Sequence, residues 1–185
     1  NICNYFHLPV QSGNTEMLTR MNRGYSREKY LERIAAIRRI IPDCGISTDI
    51  ITGFCGETEE EHADTLSLMN DVRFEFAYMF MYSERPGTLA QKKYKDDVPE
   101  ALKKIRLQEV MALQQKHSAK RTKEGVGKAH RVLIEGVSKK SSERLYGRNS
   151  QNTTVVFPKG NHKKGEYVNV LAKECTLATL IGRVI

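Results

Sequence analysis

Apolar and polar positions alternate between two periods over the first two thirds of the chain. Asn4 to Val10 reads as a strand. From Ser26, a capping residue, Tyr30, Ile34, Ile37 and Ile41 fall at helical spacing, and the run ends near Pro42 and Gly45. Ile46 to Thr52 is a β-branched strand, and Thr58 followed by Glu61 forms a capping box before a helix whose apolar face is Ala63, Leu66 and Met69. Phe74 to Tyr82, "FEFAYMFMY", is almost continuously apolar and predicts a strand buried on both faces. A long helix from about Val98 to Arg121 closes the series.

Three β-α units in succession predict a parallel sheet with helices packed on it. In such sheets ligands sit at the carboxyl ends of the strands. Three polar or glycine-containing turns lie there: "PVQSGN" after the first strand, "TGFCGET" after the second and "YSERPGT" after the third. One such turn reverses the chain; three at one sheet edge predict a shared pocket.

After "RTKEGVGK" the period changes. "HRVLIEGVS", "LYGRNS", "TTVVFPKG", "EYVNVLAKE" and "TLATLIGRVI" are short β-rich runs between glycine, asparagine and lysine turns, the pattern of a small antiparallel barrel of about five strands. The boundary falls near Thr122, giving domains 1–121 and 122–185.

Charge sharpens that division. The 185 residues carry a net charge of +8, but Asn1 to Ser118 hold 16 Lys/Arg against 17 Asp/Glu, whereas Ala119 to Ile185 hold 14 against 5. Concentrated positive charge attracts polyanions, in a way that weakens with salt. The four cysteines, Cys3, Cys44, Cys55 and Cys175, form no closely spaced set, so a metal site is not expected from this chain and buried free thiols are. Neither an export segment nor an apolar run of membrane-spanning length is present, which points to the cytoplasm.

In order along the chain, "HLPVQSGN", "MNRGYSREKY", "IPDCGISTDIITGFCGETEEE" and "YSERPGTLA", followed by a basic β-barrel with "EGVSK" and "LYGRN", resemble the C-terminal part of the radical S-adenosylmethionine methylthiotransferases. The "HLPVQSG" run is similar to the group acting on N6-isopentenyladenosine in tRNA; relatives acting on a ribosomal protein more typically carry an Asp-Ile-Pro-Leu-Gln-His type run. The resemblance implies an α/β fold: the second half of a radical SAM β/α half-barrel, followed by the small OB-like RNA-binding barrel called TRAM. It implies S-adenosylmethionine and two [4Fe-4S] clusters whose ligands lie upstream of Asn1, methylthio transfer to carbon 2 of the modified adenosine, and the tRNA anticodon stem-loop as partner.

On that resemblance and on motif position, Gln11 and Ser12 are candidates for the ribose or methionyl end of the cosubstrate, Arg23 for its carboxylate, and Gly53, Phe54 and Cys55 for the adenine side. The family more often has proline at the position of Cys55, which therefore reads as a substitution and not a ligand. Arg23 reads equally as a solvated helix-end charge. Asp49, opposite in facing to Ile50, needs a partner, either a structural network or the substrate. Arg85 is a candidate for RNA at the barrel mouth or for packing over the last helix. Lys140, Arg144, Tyr146 and Arg148 are the RNA candidates on the β-barrel, with Tyr146 divided between stacking and core, and Phe157 assigned to the core. Two classes of function remain: a segment of a methylthiotransferase, inactive alone, which acts on isopentenyladenosine, threonylcarbamoyladenosine or a ribosomal protein; or a non-catalytic RNA-binding module. The open edge at Ile2, Tyr5 and Leu8 predicts self-association.

Overall fold

The computed structural model describes residues 3–185, so Ile2 lies outside the described residues. The chain divides into two compact units. One comprises His7–Pro42 and Ile46–Gln115; the other comprises Asp43–Gly45 and Lys116–Ile185 with the described residues before His7.

The element order of the first two thirds is β1 (Tyr5–His7), α1 (Thr15–Arg20), α2 (Arg27–Ile40), β2 (Gly45–Thr52), α3 (Glu59–Val72), β3 (Phe76–Met81), α4 (Leu89–Lys93) and α5 (Glu100–Lys123). The sheet order is β1-β2-β3, and β2 pairs parallel with β3, Asp49 lying opposite Tyr78. Ser26 caps α2 by accepting the Lys29 amide, and Thr58 and Glu61 close the expected capping box on α3. The first strand is shorter than its apolar pattern. The Leu8 amide still donates to the Ser47 carbonyl, and beyond Pro9, which interrupts the run, the chain rejoins the sheet at Gln11 through a parallel bridge to Ile50.

Two expectations change. On α3 the buried residues are Glu61, His62, Thr65, Leu68, Met69 and Val72, while Ala63 is exposed and Leu66 half-buried. The helix turns hydrogen-bonded polar residues inward, which an apolar pattern alone cannot register: Thr65 receives the Gly13 amide and His62 meets Glu109. On β3 only one face is buried. Ala77 is covered, but Phe76, Tyr78 and Phe80 remain 48%, 51% and 53% exposed.

The remaining strands are β4 (Ala129–Val137), β5 (Arg144–Arg148), β6 (Thr154–Pro158), β7 (Tyr167–Cys175) and β8 (Thr179–Val184), closed into a barrel of order β4-β5-β6-β8-β7. Each coincides with one of the five β-rich runs. One pair, β6–β8, is parallel, where successive runs predict antiparallel neighbours throughout. Val132, Ile134, Leu145, Val155, Phe157, Val170 and Leu180 fill its interior, so Phe157 is a core residue as expected. Where β5 crosses β4, a Cβ on Gly147 would lie 2.1 Å from the Leu133 carbonyl oxygen, so only glycine fits. Among the described residues no helix is long and apolar enough to cross a membrane.

Candidate functional site

The three turns do stand at the carboxyl ends of β1, β2 and β3. In the first, Gln11 is buried with φ of +69°, its amide donating to Asp49 and its carbonyl accepting from Ile51. Ser12 is buried as well: its hydroxyl lies 3.3 Å from that of Thr65 and accepts the Asn14 amide. The next residue must be glycine, since a Cβ on Gly13 would sit 2.4 Å from the Asp64 carbonyl oxygen and 2.5 Å from the Thr65 Cα. Ser12 is thus tied to α3, and of the two cosubstrate candidates Gln11 is the less committed.

Behind this turn two tyrosines that the motif reading passed over hold its backbone. The Tyr25 hydroxyl donates to the Pro9 carbonyl at 2.9 Å and the Tyr30 hydroxyl to that of Leu8 at 2.8 Å. Burial, only partly offset by Thr48, raises the Tyr30 pKa far above its ordinary range, so the hydroxyl stays a donor. Arg23 lies between α1 and α2 with its side chain exposed, and its amide closes the end of α1 on the Leu18 carbonyl.

The second turn is anchored from below. Gly53 has φ of +71°, and its amide donates to Glu57 Oε2 at 2.7 Å. Glu57 pairs with Arg106 at 3.0 Å, both buried; burial pushes the Glu57 carboxyl up, against the Gly53 amide and Arg106. Lys103, also buried, runs under Gly53 and ends 2.6 Å from Asp96 Oδ2, beside the Tyr82 ring. Phe54 wedges edge-on between Tyr82 and Tyr94, 4.8 and 6.2 Å away, in a cluster with Met17 and Cys55. Burial raises the pKa of the Cys55 thiol and takes the neighbouring Tyr82 hydroxyl up to about 12. Phe54 and Cys55 therefore form the floor of the loop. Glu57, Asp96, Lys103 and Arg106 were not singled out from sequence: on an amphipathic helix a buried lysine and a solvated one look alike. The one available signal was Glu57, four residues after Gly53.

Asp49 stands on the open face of the sheet. Its carboxylate is 3.3 Å from His7 Nε2, and His7 Nδ1 is 2.8 Å from the Ser47 hydroxyl. The Tyr78 ring meets His7 edge-on at 5.9 Å and Phe76 at 4.8 Å. His7, Asp49, Tyr78, Phe76 and Phe80 thus make a half-exposed patch of aromatic and hydrogen-bonding groups, while Ile50 on the opposite face is fully buried. Arg85 lies apart from this cluster, exposed in the loop after β3, where its carbonyl accepts the Thr88 hydroxyl.

On the barrel, Lys140 and Arg144 are exposed, and neither makes an ion pair among the described residues. Arg148 is held by Asn152 at 2.7 Å and Glu135 at 3.4 Å. Tyr146 is half-buried beside Gly136. Tyr167 carries the Arg131 guanidinium 4.5 Å above its ring.

Radical SAM chemistry in general uses S-adenosylmethionine and an iron-sulfur cluster held by cysteine thiolates. Among the described residues no three or more His, Cys, Asp or Glu side chains are grouped to hold a metal ion; Cys44 and Cys55 are buried and neither is in a disulfide. The side chains of the described residues thus do not form a cluster site.

The Radical SAM superfamily model matches residues 1–69 and the TRAM domain model residues 123–185. The chain is 57% identical over 185 residues to the tRNA-2-methylthio-N(6)-dimethylallyladenosine synthase of Amoebophilus asiaticus. It is 56% identical over 182 residues to that of Christiangramia forsetii, and 53% over 185 residues to that of Porphyromonas gingivalis. These matches cover 98 to 100% of this chain but only 38 to 40% of the relatives' length. A solved structure, the radical SAM enzyme coproporphyrinogen III oxidase from Escherichia coli, superposes with a TM-score of 0.52 at 23% identity, covering 80% of this chain and 41% of that one; this likeness concerns the fold alone. The chain thus carries a match to the Radical SAM superfamily followed by a TRAM domain, and its identity to these synthases runs through its whole length.

Proposed function

We propose that the chain is part of a methylthiotransferase that modifies carbon 2 of N6-isopentenyladenosine beside the tRNA anticodon. The observation that carries this reading is identity of 53 to 57% that continues through both domains to proteins named for that product. In this reading residues 1–121 supply part of the S-adenosylmethionine and substrate pocket, and residues 122–185 grip the anticodon stem-loop. The two [4Fe-4S] clusters are held outside this chain, and the enzyme works in the cytoplasm.

The polar-aromatic face supports the first role. A nucleoside needs flat apolar surface for its base and hydrogen-bonding groups for its sugar, and Phe76, Tyr78 and Phe80 with His7 and Asp49 offer both. Gln11, Gly53 and the backbone near Phe54 border that face at the strand ends. The anchors beneath them, Glu57, Lys103 and Arg106, keep the loops from collapsing into it.

The test is turnover by the protein extended to include the cluster-binding region, with tRNA bearing N6-isopentenyladenosine, read by mass spectrometry of the digested nucleosides. The methylthio product is expected, together with its loss in Asp49→Ala. Its absence, with clusters loaded, would overturn the reading. The edge of β1 away from β2 is proposed to pair with a second copy; a sedimentation coefficient that does not change with concentration would count against that pairing.

A further inference from the structure

The outer surface of the barrel has two sides in different electrostatic states. On the β5 side Arg148 is already occupied by Glu135 and Asn152, and Tyr146 is half-buried. The β4–β7–β8 side is uncommitted. In register, Arg131 lies opposite Asn169, Leu133 opposite Tyr167 and Leu171 opposite Arg183. Val168, Val170 and Ala172 point into the core, so alternation sets Tyr167, Asn169, Arg131 and Arg183 together on one outer face. Neither Arg131 nor Arg183 makes an ion pair among the described residues. The Arg131 guanidinium lies over the Tyr167 ring, a residue still 58% exposed.

That face runs on into a cavity of about 190 Å³ lined by Arg144, Lys173 and Arg183, with Ile181 and Pro158 as apolar wall and Glu174 as its one acid. Three cations against one carboxylate is a setting for an anion. From Tyr167 to Lys173 the strand covers roughly 20 Å, at about 3.3 Å per residue.

We propose that this face, and not the surface around Tyr146 and Arg148, takes an unpaired segment of RNA, one base stacking on the Arg131–Tyr167 pair and the following phosphates seated by Arg183, Lys173 and Arg144. The proposal rests on the RNA-binding reading above and deepens it. An aromatic ring pre-set by a guanidinium is a stacking platform that accepts any base, because every base has a π-face. Two guanidinium groups and an ammonium converging on one cavity suit phosphate oxygens, which carry charge but no sequence information. Single-stranded loops can splay a base onto such a platform, and continuous duplex cannot.

The experiment uses the whole chain and a fluorescein-labelled RNA hairpin with an unpaired loop, followed by anisotropy across a salt series, with a blunt duplex as the second arm. Tyr167→Ala is expected to weaken hairpin binding roughly tenfold and leave the salt slope unchanged, while Tyr167→Phe stays within about twofold. Lys173→Ala and Arg183→Ala are each expected to flatten the log–log slope by about one. The duplex should bind more weakly and be indifferent to Tyr167→Ala. Retention of hairpin affinity by both Tyr167→Ala and Arg131→Leu would overturn the assignment, as would a larger loss in the Lys140→Ala/Arg148→Ala pair. No binding by the unsubstituted chain at low salt would instead overturn the RNA reading itself, and the assignment with it.

Discussion

Single residues set the loop that follows β2. Gly53 combines a left-handed φ with a neighbour that leaves no room: a Cβ would lie 2.3 Å from Lys103 Cγ. Gly53→Ala must therefore strain the backbone and displace the Lys103 stalk from Asp96. A loss of about 2 to 4 kcal/mol is expected, seen as a lower urea midpoint with an unchanged m-value. Glu61 offers a pH test. Burial pushes its carboxyl up, but the Arg20 guanidinium at 2.6 Å and the Thr58 amide at 2.9 Å outweigh burial and hold it below the ordinary range. A depressed carboxylate adds stability above its unfolded pKa, about 4.3, and loses it as the pH falls through the folded value. Glu61→Gln keeps the capping geometry and removes the charge. At neutral pH it should cost about 1 to 2 kcal/mol, and the gap to the unsubstituted protein should narrow as the pH is lowered and close once the folded carboxylate is protonated. A gap that stays constant throughout acid titration would refute the charge argument.

At the scale of elements, the run from Phe74 through β3 holds two kinds of aromatic residue that look the same in the sequence. Phe74 is fully buried, and Phe74→Ala should cost about 3 to 5 kcal/mol; Phe80, half-exposed, should tolerate serine for less than about 1. Thermal or urea unfolding of the two variants measures the contrast, and equal losses would mean that the second face is covered in solution. "FEFAYMFMY" could not show this difference, because apolar content reports that a strand is present and not how many layers pack on it. Other signals were local and therefore legible: the Ser26 cap, the Thr58–Glu61 capping box and all five barrel strands are written in neighbouring residues. What stayed hidden involves distant partners. The Glu57–Arg106 and Lys103–Asp96 pairs and the inward face of α3 depend on which charged positions the fold encloses. The turns were found as a set, but which of Gln11, Ser12, Phe54 and Cys55 remain free was not. That depends on Thr65, Tyr82 and Tyr94, supplied by elements farther along the chain.

For the whole molecule, the strand order of the barrel carries a consequence in time. β8, the last strand along the chain, lies between β6 and β7 and is the parallel partner of β6. During synthesis the other four strands leave the ribosome first, with the edges of β6 and β7 unsatisfied until Thr179–Val184 emerge. The barrel should therefore close after translation of its sequence is complete, and chaperone engagement or protease sensitivity should peak just before that point. Stalled nascent chains that end before Thr179 should be cleaved within residues 129–175, while chains extended past Ile185 by a linker long enough to clear the exit tunnel should resist. Equal protection in both would mean that β4 to β7 hold together without the strand that joins them.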